Sequence, residues 1–294
     1  MTLLTLPARP IEGRRVGWID RRIEAAETGS GNRRWYGGLL AATLAIGLWS
    51  LLCATGKFPA SLLPPPTQVV RAFQESVTVH ISTTGVRQEG ILGAFLWTHL
   101  WASLHRVLVG LGWGIAVGIP VGLCLGLSRI ADRILGPAVE FIRALPPLGY
   151  FPLMILWFGI GESSKIWLLS LATFAPIAVA TAAGVAGVRT ERVSAALVLG
   201  ASRLNMVRKV VLPSVAGDII TGTRVASGFA WTTIVAAETV NGLPGIGGLA
   251  WASQKQLRAD ITILAIIVIG ITAVASDALL RALERRVAPW KGRA

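Results

Sequence analysis

Arg224 and Glu238, with Asp218 between the start of the run and Arg224, are the ionisable residues inside one apolar run of this sequence, residues 213–238. A charge held away from water is costly, so such residues face a polar interior, a water-filled path or an ionic partner. Arg224 can attract an anionic group, pair with Asp218 six residues earlier, or extend its long stem back to the polar surface. Glu238, at the far end of the run, is either an external contact or half of a structural pair. No acid, base and nucleophile converge anywhere along the chain. His80, His99 and His105 lack the carboxylate pairing of a metal site. Cys53 and Cys124 sit in apolar runs, where thiols act as small hydrophobes. We therefore expect no metal, no disulfide, no cofactor and no enzymatic activity in this chain. A G-x-x-x-x-G-K-[ST] phosphate loop is absent, because Gly56-Lys57 has Leu51 where the first glycine belongs. The glycine-rich GLPGIGGLAW at 242–251 follows an apolar run, not a strand, and reads as a turn or re-entrant hairpin.

The elements that carry these residues are long and apolar. Of 294 residues, 53% are hydrophobic and only 15% charged, and the mean hydropathy is +0.63. A water-soluble surface is hard to build from that balance, so lipid is the expected solvent. A span needs ~20 apolar residues, and six segments approach that length: 36–55, 106–127, 137–158, 166–187, 213–238 and 260–280. With a cytoplasmic N-terminus, the inner segments hold 20 of the 28 Lys and Arg residues and the outer ones six. That asymmetry favours both termini inside. The formal charge of +13 then reflects topology and gives no reason to expect nucleic acid. About 35 mostly polar residues precede the first span, unlike a secretory signal, so the first span is expected to be retained. Residues 11–24 form either a basic amphipathic helix on the lipid surface or a solvated tail.

Two spans have distinctive interiors. Pro146, Pro147 and Pro152 interrupt the third, removing backbone donors, so it should be broken or kinked. Broken backbone at membrane depth is tolerated beside protein or a water-filled cavity. Arg143, Pro146 and Pro147 are therefore candidates for a translocation pathway, with Arg224 and Glu238; a packing kink is the alternative. In the second span Gly110, Gly114, Gly118, Gly122 and Gly126 recur every fourth residue, forming a ridge against which another helix can pack closely.

The cytoplasmic segment ERVSAALVLGASRLNMVRKVVLPSVAG, Glu191–Gly217, reads as helix, turn, helix. Gly200 supplies the left-handed turn, and Leu212-Pro213 opens the next helix with proline in its first turn. The pattern resembles the permeases of binding-protein-dependent ABC importers, whose signature is E-A-A, three residues, Gly, nine residues, Ile-x-Leu-Pro. Ser194, Ala195, Ala196, Gly200, Val210, Leu212 and Pro213 fall on that spacing. Ser194 departs from the signature glutamate, although Glu191 stands one turn earlier. The resemblance runs from Leu62 to Trp290. Within the family it is closest to taurine and aliphatic-sulfonate permeases, through LLPPPTQV at 62–69, LWTHLWASLHRV at 96–107, ALPPLGYFPLMILWFGIGESSKIWLL at 144–169, WTTIVAAE at 231–238 and LRALERRVAPWKG at 280–292. Nitrate, bicarbonate and thiamine-precursor permeases share much of it.

The resemblance implies an all-α membrane protein of about six transmembrane helices, with the type I importer permease architecture. It implies a cytoplasmic segment 1–35, a transmembrane domain 36–280 and a cytoplasmic tail 281–294. The loop 189–212 would be the coupling element, in which Ser194, Ala195, Ala196, Gly200, Leu212 and Pro213 meet an ATPase subunit. The implied partners are two copies of that ATPase, a periplasmic binding protein that Glu238 could contact, and a second permease copy. The expected activity is import of a small sulfonate, taurine first, across the inner membrane by ATP-driven alternating access. Another small solute in the same machine, or an ion-coupled carrier, are the alternatives.

Overall fold

The computed structural model describes residues 32–81 and 87–289. The surface helix expected at 11–24 lies outside them. The chain divides into two units, Met1–Phe58 and Pro59–Ala294. Among its described residues the first contributes one helix, α1 (Asn32–Ala54), long and apolar enough to cross a membrane from Tyr36 onward.

The second unit opens with an amphipathic helix, α2 (Pro66–Val77), which has proline in its first turn and buries Val69, Ala72 and Ser76. A short antiparallel pair follows, β1 (Val79–Ile81) with β2 (Arg87–Glu89), in the register Val79 to Glu89. This pair is a small exception to the all-helical expectation. The remaining helices are α3 (Leu96–Leu127), α4 (Arg129–Ala144), α5 (Pro147–Phe158), α6 (Glu162–Ala186), α7 (Thr190–Val198), α8 (Arg203–Met206), α9 (Leu212–Asn241), α10 (Ile246–Lys255) and α11 (Ala259–Val287). Among the described residues four helices are apolar enough to span (α1, α3, α6, α11), and the bent pair α4–α5 makes a fifth. The sixth expected span is α9, 30 residues long. That is about 45 Å at 1.5 Å per residue, but Asp218, Arg224 and Glu238 interrupt its apolar character.

The expected break in the third span falls at Leu145 and Pro146, and the two halves are bent by 100°. Each of these residues precedes a proline, whose ring disfavours the helical region for its predecessor. Both accordingly adopt extended backbone, with ψ 128° and 127°. Pro152 lies inside α5 without breaking it. The second span starts ten residues earlier than its apolar run suggests, at Leu96, which places Arg106 well inside α3.

The glycine ridge of α3 packs on α6, the most extensive helix pair in the chain. A Cβ at Gly118 would lie 2.9 Å from the Phe174 carbonyl, and one at Gly126 would lie 2.5 Å from Val185 Cβ. Only a missing side chain permits this approach, and the partner is a helix of the same subunit. Leu111, Ile177 and Ala226 pack together across α3, α6 and α9, and Val107, Leu169, Trp231 and Ile234 form a second cluster on the same three helices. At the start of α11, Arg258 bonds Asp260 at 2.8 Å and Glu75 of α2 at 2.9 Å. The Asp260 carboxylate first, then Glu75, holds the guanidinium above its ordinary pKa against partial burial.

Candidate functional site

A cavity of about 1020 Å³ lies between the α4–α5 break, α6 and α9, and reaches the start of α7. Arg143, Pro146 and Pro147 line it, so the doubled proline that bends the span also shapes its wall. Asp218 and Thr221 enter from α9, Arg189 from the end of the segment that joins α6 to α7, and Arg192 from the first turn of α7. Arg143 is half-exposed and pairs with Glu140 one turn earlier at 2.6 Å.

The other two pathway candidates lie outside the cavity lining. Arg224 bonds Asp277 at 2.9 Å and Glu284 at 3.0 Å, both on α11. Its partners therefore lie on α11, and Asp218 is not among its ion pairs. Thr221, which does line the cavity, donates to the other Glu284 oxygen at 3.0 Å. The ionic cluster thus ties the cavity wall to α11.

Glu238 is fully buried and pairs with Arg106. Ser103 donates to Glu238 Oε1 at 2.7 Å and accepts the Ile246 amide at 2.9 Å. The Gly247 amide donates to Glu238 Oε2 at 2.8 Å, placing a carboxylate at the positive end of α10. Arg106 also donates to the Pro244 carbonyl at 2.8 Å and to Glu162 at 2.6 Å. His99 Nδ1 accepts the Gly245 amide at 3.2 Å. The glycine-rich segment expected to be a turn or re-entrant hairpin is thus a turn at 242–245 leading into α10, pinned to α3 and α9 by the buried Arg106 and Glu238. Neither the pairing of Arg106 nor the role of Ser103 was read from the sequence. A buried arginine finds partners only through tertiary contacts, and the one available signal was an Arg bordering an apolar run.

The hairpin at 190–202 has well-defined ends. Ser194 and Ala195 are exposed on α7, and no residue of that helix is buried. Gly200 has φ +78°. The Ala201 amide bonds the Ala196 carbonyl at 3.0 Å, and the Gly200 amide bonds Leu197 at 2.9 Å. These two bonds close the helix with the left-handed glycine its geometry requires. A Cβ at Gly200 would meet nothing within 4 Å, so the requirement is conformational and not steric. Where α7 ends and the turn begins, Val198 and Leu199 are 87% and 86% exposed; sequence reasoning passed over this apolar pair. Ser202 caps α8 through the Asn205 amide at 3.3 Å. A π-helical turn, Val207–Val211, then leads into Leu212 and Pro213 at the head of α9. Pro213 lacks an amide and its ring crowds the carbonyl four residues back. The wider turn accommodates it without a break.

Residues 114–289 match the family described as "Binding-protein-dependent transport system inner membrane component". The chain is 40% identical over 255 residues to the taurine transport system permease protein TauC of Escherichia coli (strain K12), covering 87% of this chain and 89% of that protein. It is 36% identical over 245 residues to the putative aliphatic sulfonates transport permease protein SsuC of the same organism, covering 83% and 88%. It is 33% identical over 250 residues to the nitrate import permease protein NrtB of Leptolyngbya laminosa, covering 85% and 86%. Among solved structures, the MetNI methionine ABC transporter in an inward-facing conformation aligns with TM-score 0.51 at 20% identity, over 64% of this chain and 96% of that one. An amino acid ABC transporter aligns with TM-score 0.53 at 19% identity, over 65% and 92%. Those two likenesses concern the fold. On the extent of the family match and the near full-length identity to TauC, the chain belongs to the inner-membrane permease components of binding-protein-dependent transport systems.

Proposed function

We propose that this permease moves a small sulfonate, taurine foremost, from periplasm to cytoplasm by alternating access. Two copies of a cytoplasmic ATPase supply the energy, a periplasmic protein delivers the substrate, and a second copy of this chain completes the passage. Both termini lie in the cytoplasm, in line with the distribution of Lys and Arg. The observation that carries the reading is the hairpin at 190–202. Its small Ala195 and Ala196 stand beside an apolar tip, Val198 and Leu199, that this chain leaves in the open, and the cavity extends to its base. A surface of that kind suits the groove of a partner subunit and ties its motion to the passage. The sulfonate assignment draws on the relatives named for taurine and aliphatic sulfonates. Nitrate in the same machine is the second reading, favoured by the likeness to NrtB.

Ala195→Glu tests the docking role. It adds bulk and a charge that must lose water at a packed contact, a change that costs a few kcal/mol. At 1.4 kcal/mol per factor of ten, ATPase association should fall at least roughly tenfold, and substrate-stimulated hydrolysis with it. Membrane insertion should be unchanged, and Gln74→Glu on α2 should behave as wild type. Full ATPase binding and transport by an inserted Ala195→Glu protein would show that the hairpin does not couple. Taurine uptake by this chain reconstituted alone would instead identify a carrier that needs no ATPase.

A further inference from the structure

The short helix α2 carries more apolar surface than the rest of the described chain covers. Its buried edge, Val69, Ala72 and Ser76, belongs to a helix that packs chiefly on α11, where Glu75 meets Arg258. At 3.6 residues per turn, Val70 and Phe73 fall beside that edge, yet they are 58% and 47% exposed. Thr67, Arg71 and Gln74 occupy the far side and are exposed as well. The helix therefore has three strips: one apolar and covered, one apolar and open, one polar.

The surroundings indicate what meets the open strip. With twelve residues, α2 is about 18 Å long, too short to cross ~30 Å of hydrocarbon. An amphipathic helix of this kind lies along the membrane boundary with its apolar side among the acyl chains. Neighbouring residues put that boundary at the level of α2. On the first two turns of α3, which also touches α2, Trp97 and Trp101 stand exposed, and Phe95 stacks on Trp97 at 4.2 Å. Exposed tryptophans at the end of a span mark the headgroup level. Farther along α11, the flank stays apolar and open through Ile266, Ile267, Ile271 and Val274, as a lipid-facing surface does. A helix that rests on such a span, beside such a belt, holds its open strip where the acyl chains begin.

We propose that α2 is an interfacial helix that seats Val70 and Phe73 in a lipid leaflet and turns Arg71 and Gln74 to water. The leaflet is the one away from the 190–202 hairpin. Helices α3 and α6 run the same way, Gly110 meeting Leu169 and Gly126 meeting Val185, so the start of α3 and the hairpin that follows α6 lie at opposite ends. Through the Glu75–Arg258 pair, the seated helix ties the head of α11 to the membrane surface.

The test uses this chain with its ATPase in proteoliposomes of phosphatidylethanolamine and phosphatidylglycerol, with Cys53→Ala and Cys124→Ala as background. Nitroxide labels are placed singly through Val70→Cys, Phe73→Cys, Arg71→Cys and Gln74→Cys. Collisions with oxygen, which concentrates in lipid, are compared with those of a water-soluble nickel chelate. The oxygen-to-nickel ratio should be several-fold higher at 70 and 73 than at 71 and 74. Equal ratios at all four positions would place the strip in water and overturn the proposal. Labels at 70 and 73 screened from both reagents would show a protein cover, such as a second copy of this chain, and overturn it too. So would nickel collisions at 70 and 73 that vanish only when the periplasmic binding protein is added, because the strip would then be a protein-docking face. Should Phe73→Cys not fold, Val70→Cys against Gln74→Cys decides. No transport is measured, so neither result bears on the solute carried.

Discussion

Removing the Glu238 carboxylate would leave the Arg106 guanidinium, the Ser103 hydroxyl and the Gly247 amide facing a gap they now fill. Arg106 is 1% exposed, so the donor it turns to Glu238 could not be rescued by water, and Glu162 alone would then offset its charge. Breaking such a pair from one side costs about 3–5 kcal/mol. Glu238→Ala and Arg106→Ala should each destabilise the detergent-solubilised protein by that order, and the double variant by clearly less than their sum. Additive losses in thermal or denaturant unfolding would show that the two side chains do not act as a pair. Glu162, the other partner, is 57% exposed and should matter much less. Little of this was legible in the sequence. Arg106 reaches Glu162 and Glu238 across 56 and 132 residues, and Arg224 reaches Asp277 and Glu284 across 53 and 60. Local spacing offered only Asp218 as a partner for Arg224. Helix periodicity reports which residues share a face, not which helix that face meets.

At the scale of elements, periodicity served better, because the glycine spacing and the doubled proline are local properties. The five glycines of α3 do form a contact ridge, and Pro146–Pro147 do break the third span. Pro152, expected to interrupt it as well, removes one internal hydrogen bond at the middle of the twelve-residue α5, yet the helix runs through it unbroken. The ridge yields a paired test. A Cβ at Gly122 would lie 2.6 Å from Thr181 Cβ and 3.1 Å from the Ala178 carbonyl carbon, whereas one at Gly112 would meet nothing within 4 Å. Gly122→Ala should therefore destabilise by about 1–3 kcal/mol through overpacking. Gly112→Ala, on the same helix, should be neutral or stabilising by up to about 1 kcal/mol. Equal effects on unfolding would mean that α3 and α6 are not packed as closely as described.

For the molecule as a whole, the testable quantity is which end faces which compartment. Ser163, exposed at the head of α6, and Ser202, exposed beside the Gly200 turn, lie at opposite ends of the chain's long helices if the Lys and Arg asymmetry sets the orientation. A cysteine at 163 should react with a membrane-impermeant thiol reagent added outside, and one at 202 only after the membrane is opened. Reversed labelling would invert the topology and move the hairpin away from any cytoplasmic ATPase. The π-helical turn at Val207–Val211 bears on the same connection. An α-helix advances about 100° per residue, so one extra residue in a turn rotates everything beyond it by roughly that amount. A helical wheel drawn straight from Arg203 to Asn241 therefore misplaces one half relative to the other. The widened turn acts as an angular offset between hairpin and span, and gain or loss of a single residue there would re-aim the hairpin around the axis of α9 while leaving the span itself untouched.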